Sequence, residues 1–159
     1  MNTLIARCAQ SQPGRLYALG TRLALLLAPI VDLVARVYVA RVFWLSGLTK
    51  LNDWHITLAL FADEYKVPLL PPAVAAVMST TGEITFSILL TLGLAGRFSA
   101  AGLFVINAVA LVSYHASLDA AGVKDHMLWG TILAFLVVHG VGILSVDGWL
   151  KRQVDRTAG

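Results

Sequence analysis

The sequence is poor in charge and almost devoid of cysteine. Of its 159 residues, 13% are Asp, Glu, Lys or Arg and 58% are hydrophobic, whereas a soluble domain carries about 25% charged and 45–50% apolar residues. This balance, with a mean hydropathy of +0.77, excludes the disordered, fibrous and ordinary cytosolic-enzyme classes. The lone Cys8 excludes a disulfide framework, a CxxC redox pair, a cysteine zinc site and a thiol–disulfide relay within one chain. No GxGxxG or Walker loop, no HExxH and no Ser-His-Asp arrangement occurs, so there is no haem, flavin or nucleotide motif. The net charge of +3 does not call for nucleic acid, because the basic residues sit at the ends and turns of apolar segments.

What is present is apolar sequence in long runs. A spanning helix needs about 20 such residues. Four windows qualify, at roughly 30–50, 73–94, 98–118 and 126–146. The last two contain no charge, the second contains only Glu83, and the first contains Asp32, Arg36 and Arg41. These predict an all-α integral membrane four-helix bundle over residues 30–150. Ahead of it, Leu16, Leu19, Leu23, Leu26 and Ile30 recur at helical spacing beside Arg15 and Arg22. That pattern predicts a cytoplasmic N-terminus, 1–29, with an amphipathic helix on the membrane surface that ends before Pro29, the alternative being an extension of the first spanning helix. The first apolar run lies too far from Met1 to read as a secretory signal, contains Arg22 and lacks a cleavage site. Trp54, Leu58, Phe61 and Tyr65 predict a second, short amphipathic helix in the outer loop, before the prolines 68, 71 and 72. Residues 151–159 form a tail.

Orientation follows from basic residues in the short loops. Arg7, Arg15, Arg22, Arg97, Lys151, Arg152 and Arg156 fall on one side, and Lys50, Lys66 and Lys124 on the other. Both termini are expected in the cytoplasm.

Charge inside a membrane is costly, roughly 2.5–3.5 kcal/mol at a helix centre, so intramembrane ionisable residues are candidate functional groups. Arg36, Arg41, Lys50, Glu83 and Asn107 are the buried polar candidates. Asp32 precedes Arg36 by one helical turn, a favourable order for an ion pair. Counting residues from the outer ends puts Arg41 and Glu83 at similar depth, which predicts an ion pair of Glu83 with Arg41 or with Arg36. His115 and His126 flank one outer loop and, with Glu64 on the same side, form a candidate outer site for a ligand or proton. No spacing assigns a metal. His139 reads as a packing residue, and Asn107 as a hydrogen-bonding group between helices.

These residues carry a family resemblance. The run RVYVARVFWLSGLTKLNDW (36–54) resembles the opening helix of the DoxX family, as does LFADEYKVPLLPPAVAA (60–76). TGEITFSILLTLGLAGRFSAAGLF (81–104) is similar to its Glu-bearing helix and following turn, and HMLWG (126–130) and GVGILSVDGWL (140–150) to its last helix and exit. Arg36, Gly47, Lys50, Glu83, Arg97, His126, Ser145 and Asp147 match the family's pattern. Val141 departs from it, standing where relatives commonly carry proline, which implies a straighter helix end.

The resemblance implies a four-helix protein of the bacterial inner membrane. The family is named for a subunit of a thiosulfate:quinone oxidoreductase, and other members resemble accessories of redox, metal-stress or peptide-modification systems. The leading expectation is therefore a redox-linked accessory subunit that meets quinone or a protein partner, encoded nearby, in the lipid phase. A small-ion, metal or metabolite transporter, which with four helices needs a homo-oligomer, is the second reading. A non-catalytic membrane scaffold is the third.

Overall fold

The computed structural model describes residues 12–115 and 117–157, all helix or connecting turn. Arg7, Cys8 and the end of the tail lie outside the described residues. Helix α1 runs Gln12–Asn52, α2 Trp54–Leu60, α3 Pro72–Leu92, α4 Gly96–Tyr114, α5 Ala120–His139 and α6 Val146–Thr157. Four of them, α1, α3, α4 and α5, are long and apolar enough to cross a membrane. With 21, 19 and 20 residues, α3, α4 and α5 are each about 30 Å long, the thickness of a bilayer's hydrocarbon core.

The ends of these helices are written in their caps. Pro72 stands in the first turn of α3, where its missing N–H costs nothing. Gly93 ends α3 in the left-handed conformation at φ 69°, and the amides of Gly93 and Leu94 return to the carbonyls of Leu90 and Leu89. Asp119 caps α5 by accepting from the Gly122 amide at 2.7 Å. The α5 helix ends at His139, with Gly140 at φ 99°, well before the expected end near 146. The straighter end expected from Val141 is thus set one residue earlier, by glycine.

One expectation is overturned. Among the described residues no separate surface helix precedes Pro29, because residues 12–52 form a single helix with Pro29 inside it. Proline removes one intrahelical hydrogen bond. The Leu- and Ala-rich flanks are strong helix formers, and a spanning helix tolerates the loss. At 41 residues, α1 is about 61 Å long, twice a bilayer core. From Arg15 to Ile30 only Pro29 is partly covered by the rest of the chain.

The expected outer-loop helix is present. Asp53 caps α2 through the Ile56 amide at 2.9 Å, and α2 runs on into a π-helical turn, Phe61–Tyr65, closed by Lys66 at φ 40°. Phe61 is buried against Ala75 and Ala76 of α3, with Trp54, Leu58, Tyr65 and Val67 around it. The bundle thus has an α2 end and, opposite, an α6 end. Between them lies a dry layer of Val39, Ala40, Phe43, Leu90, Ala100, Leu103, Leu133, Leu136 and Val141. Outward-facing apolar residues such as Val112 and Val138 are 73% and 79% exposed, the arrangement a lipid environment covers.

Candidate functional site

At the α2 end, Lys50 of α1 meets Glu83 of α3. Nζ lies 2.9 Å from Oε1 and 2.8 Å from Oε2, and donates its third hydrogen bond to Ser46 Oγ at 2.8 Å. The side chains are 16% and 6% exposed. A helical side chain leans toward the N-terminus of its own helix, so Lys50 folds down beside Ser46, one turn earlier. Gly47 permits the approach of α1 to α3: a Cβ there would lie 2.7 Å from Ile84 Cγ1 and 3.4 Å from Glu83 Cβ.

Neither Arg41 nor Arg36 is the partner of Glu83, contrary to the depth count. Arg41 is exposed. The count assumed that α1 and α3 end at one level, but α2 and its π turn pack against the first turns of α3 and hold them above the end of α1. Thr57 Oγ1 donates to the Lys50 carbonyl at 2.9 Å, fixing α2 across the end of α1.

The face of α3 that carries Glu83 also carries Thr80 and Ser87, which are 3% and 1% exposed. Their hydroxyls have no hydrogen-bond partner among the described residues. This polar stripe stops at Leu90 and the dry layer. Toward the α2 end, Tyr65 packs edge-on between Phe61 and Tyr114, each at a ring-centroid distance of 4.8 Å. Burial pushes the Tyr65 phenol above its ordinary pKa, and Tyr114, Glu64 and Glu83 add to the shift. Sequence reasoning missed Tyr65, Ser46 and Ser79, whose Oγ lies 3.4 Å from Glu83 Oε1, as parts of the site. The two serines stand four residues before Lys50 and Glu83, a spacing that marks side-chain neighbours on a helix.

Among the described residues no hydrogen bond joins His126 to His115. His126 turns to Asn107: the Asn107 amide donates to the His126 carbonyl at 2.9 Å, and its oxygen lies 2.8 Å from His126 Nδ1. The direction of the Nδ1–Asn107 Oδ1 hydrogen bond depends on the imidazole tautomer. Asn107 is buried and ties α4 to α5, whereas His115 and Glu64 are exposed. Among the described residues no group of three or more His, Cys, Asp or Glu side chains is placed to hold a metal.

At the α6 end, Arg36, 2% exposed, donates to the carbonyls of Val141 at 3.0 Å and Leu144 at 2.8 Å. It forms no ion pair with Asp32. Asp32 instead lies 3.5 Å from Nε2 of His139, whose side chain is 52% exposed at the edge of the bundle and stacks on Phe135. Asp147 accepts from the amides of Ala95 at 2.9 Å and Gly96 at 2.7 Å, capping α4 from across the chain. Ser145 Oγ accepts from the Gly148 amide at 3.0 Å and caps α6. Arg36, Ser145 and Asp147 therefore act as a clasp that holds residues 140–147 against the bundle, with Arg97 reaching the His139 carbonyl at 3.4 Å.

The DoxX family model matches residues 31–116, a stretch that contains both Arg36 and the Lys50–Glu83 pair. A protein of Haemophilus influenzae, named only as an uncharacterized protein, is 31% identical over 128 residues, 76% of this chain and 83% of its own length. No solved structure matches the chain.

Proposed function

The chain belongs to the DoxX family of membrane proteins, and on that premise we propose that it is a redox-linked accessory subunit of the bacterial inner membrane. In this reading both termini are cytoplasmic, following the basic residues of the loops, and the α2 end faces outward. The Lys50–Glu83 pair is the working group. It supplies a proton-holding carboxylate at membrane depth, next to an apolar belt open to a lipid-soluble quinone. Reducing a quinone to its hydroquinone consumes two electrons and two protons. The electrons come from a protein partner, and Glu83 relays protons from the outer side.

The observation that carries this reading is the one-sidedness of the site. Lys50 saturates its three donors on Glu83 and Ser46, so Glu83 accepts a proton only as that pair loosens. The Thr80–Glu83–Ser87 stripe then ends at the dry layer. From Lys50 to Arg36, the next buried charge on α1, is about 21 Å along the helix. A proton relay needs access from one end only. A translocation path through one chain needs polar groups across the whole bundle, which disfavours the transporter reading.

The test is to express the chain with the products of its neighbouring genes, purify the complex in mild detergent and follow quinone reduction by absorbance. Partner-dependent reduction supports the proposal. Substrate uptake into proteoliposomes by the chain alone supports the transporter reading, and an interaction that survives loss of every buried charge supports the scaffold.

A further inference from the structure

We propose that the α6 end of the bundle binds the phosphate head group of an anionic phospholipid, in a groove between α6 and the start of α4. Helix α6 carries an exposed apolar stripe. On α6, Trp149, Leu150 and Val154 are 53%, 44% and 64% exposed. Its polar side, with Lys151, Arg152 and Asp155, is exposed as well and lines an open groove of about 810 Å³. A surface helix bathed in water points its apolar stripe at the protein. One that points it away from the protein lies in a lipid interface.

The groove's charge then selects the lipid. Arg97 and His139 form the facing wall. Arg152 Nη1 is held by the Ile143 carbonyl at 3.0 Å and Arg97 Nη2 by the His139 carbonyl at 3.4 Å. Both guanidinium groups are thereby oriented, with further N–H donors left over for a phosphate. Of the two acids in the lining, Asp147 is committed to the amides of Ala95 and Gly96. Asp155 alone opposes Arg97, Lys151 and Arg152. Phe98, also in the lining and 66% exposed, continues the groove into the apolar belt, where acyl chains would run. A free phosphate shares the head-group chemistry but has no use for the exposed Phe98 and Trp149.

The test is native mass spectrometry of the full chain from mild detergent, titrated with palmitoyl-oleoyl-phosphatidylglycerol, with the phosphatidylcholine of the same chains, and with inorganic phosphate. The expected result is retention of phosphatidylglycerol in preference to phosphatidylcholine, with no displacement by millimolar phosphate. Each cation removed should weaken retention about fivefold, so Lys151→Gln with Arg152→Gln should weaken it about 25-fold. Asp155→Asn, which removes the opposing charge, should strengthen it. Equal retention of the two lipids, or unchanged retention by the double variant, overturns the proposal. Displacement by inorganic phosphate overturns the lipid assignment in favour of a soluble anion. If the double variant loses its thermal transition, Asp155→Asn decides, and no gain in retention overturns the proposal.

Discussion

Lys50 and Glu83 form a two-pronged ion pair, with Nζ within 2.9 Å of both carboxylate oxygens, although Lys50 is in the last turn of α1 and Glu83 lies in the middle of α3. The two meet because α3 starts above the end of α1, in the space filled by α2 and the Phe61–Tyr65 turn. The pair ties two spanning helices together and leaves a single acid, balanced by a single base, on the buried face of α3.

Breaking the pair from one side strands a charge. Glu83→Gln is expected to lower stability by about 3–5 kcal/mol. Adding Lys50→Met removes the stranded ammonium and should recover much of that loss. Arg41→Met, remote from the pair, should add to Glu83→Gln within about 0.5 kcal/mol. Thermal unfolding in detergent across both cycles checks this, and coupling to Arg41 in place of Lys50 would refute the pairing.

Gly93, inside the clasp at the α6 end, and Gly20, in the uncovered part of α1, should respond to substitution in opposite ways. Gly93 has φ 69°, and a Cβ there would collide with Arg36 and Ser145. Gly93→Ala should cost at least about 1–2 kcal/mol, the strain of a left-handed residue alone. Gly20 lies inside α1 with nothing within 4 Å of a Cβ, so Gly20→Ala should stabilise by up to about 1 kcal/mol. Melting temperatures of the two variants should move in opposite directions.

Tyr65 sets a pH dependence. Its phenol is pushed above the ordinary value of 10.0, chiefly by burial. The folded chain therefore holds this proton more tightly than the unfolded chain. Its contribution to stability is complete below pH 10 and is lost as pH rises further, through the raised folded value. Tyr65→Phe should flatten the fall in thermal stability above pH 10, and ultraviolet titration should show the loss of a late-ionising tyrosine. An unchanged titration curve would count against the burial argument.

Sidedness is expected from the loop charges. Reporter fusions after residues 60 and 122 should read periplasmic, and those after 97 and 155 cytoplasmic. A cytoplasmic signal at 60 would reverse the side from which the proposed relay through Glu83 takes its protons.

The uncharged runs that became α4 and α5, the Trp54–Tyr65 periodicity of the outer helix and the importance of Glu83 were all legible in the sequence. The partner of Glu83 was not, because depth counted along two helices is meaningful only if their ends are level. The role of Arg36 was hidden for another reason: its partners are the carbonyls of Val141 and Leu144, and a backbone acceptor leaves no mark in residue type. Asp147 likewise caps α4 across about fifty residues, a relationship made by the chain's path. The surface helix failed because proline inside a leucine-rich helix weakens it without ending it.

The most direct test uses the variant that separates packing from function. Lys50→Met with Glu83→Gln has no stranded charge and should fold nearly as stably as the parent. The measurement is the rate of partner-dependent quinone reduction in membranes that carry equal amounts of parent and double variant. The expected result is a folded double variant that assembles with its partner yet loses most of that rate, because the carboxylate proposed to relay the proton is gone. A double variant that keeps the full rate would contradict it and would leave Lys50 and Glu83 as a structural tie between α1 and α3.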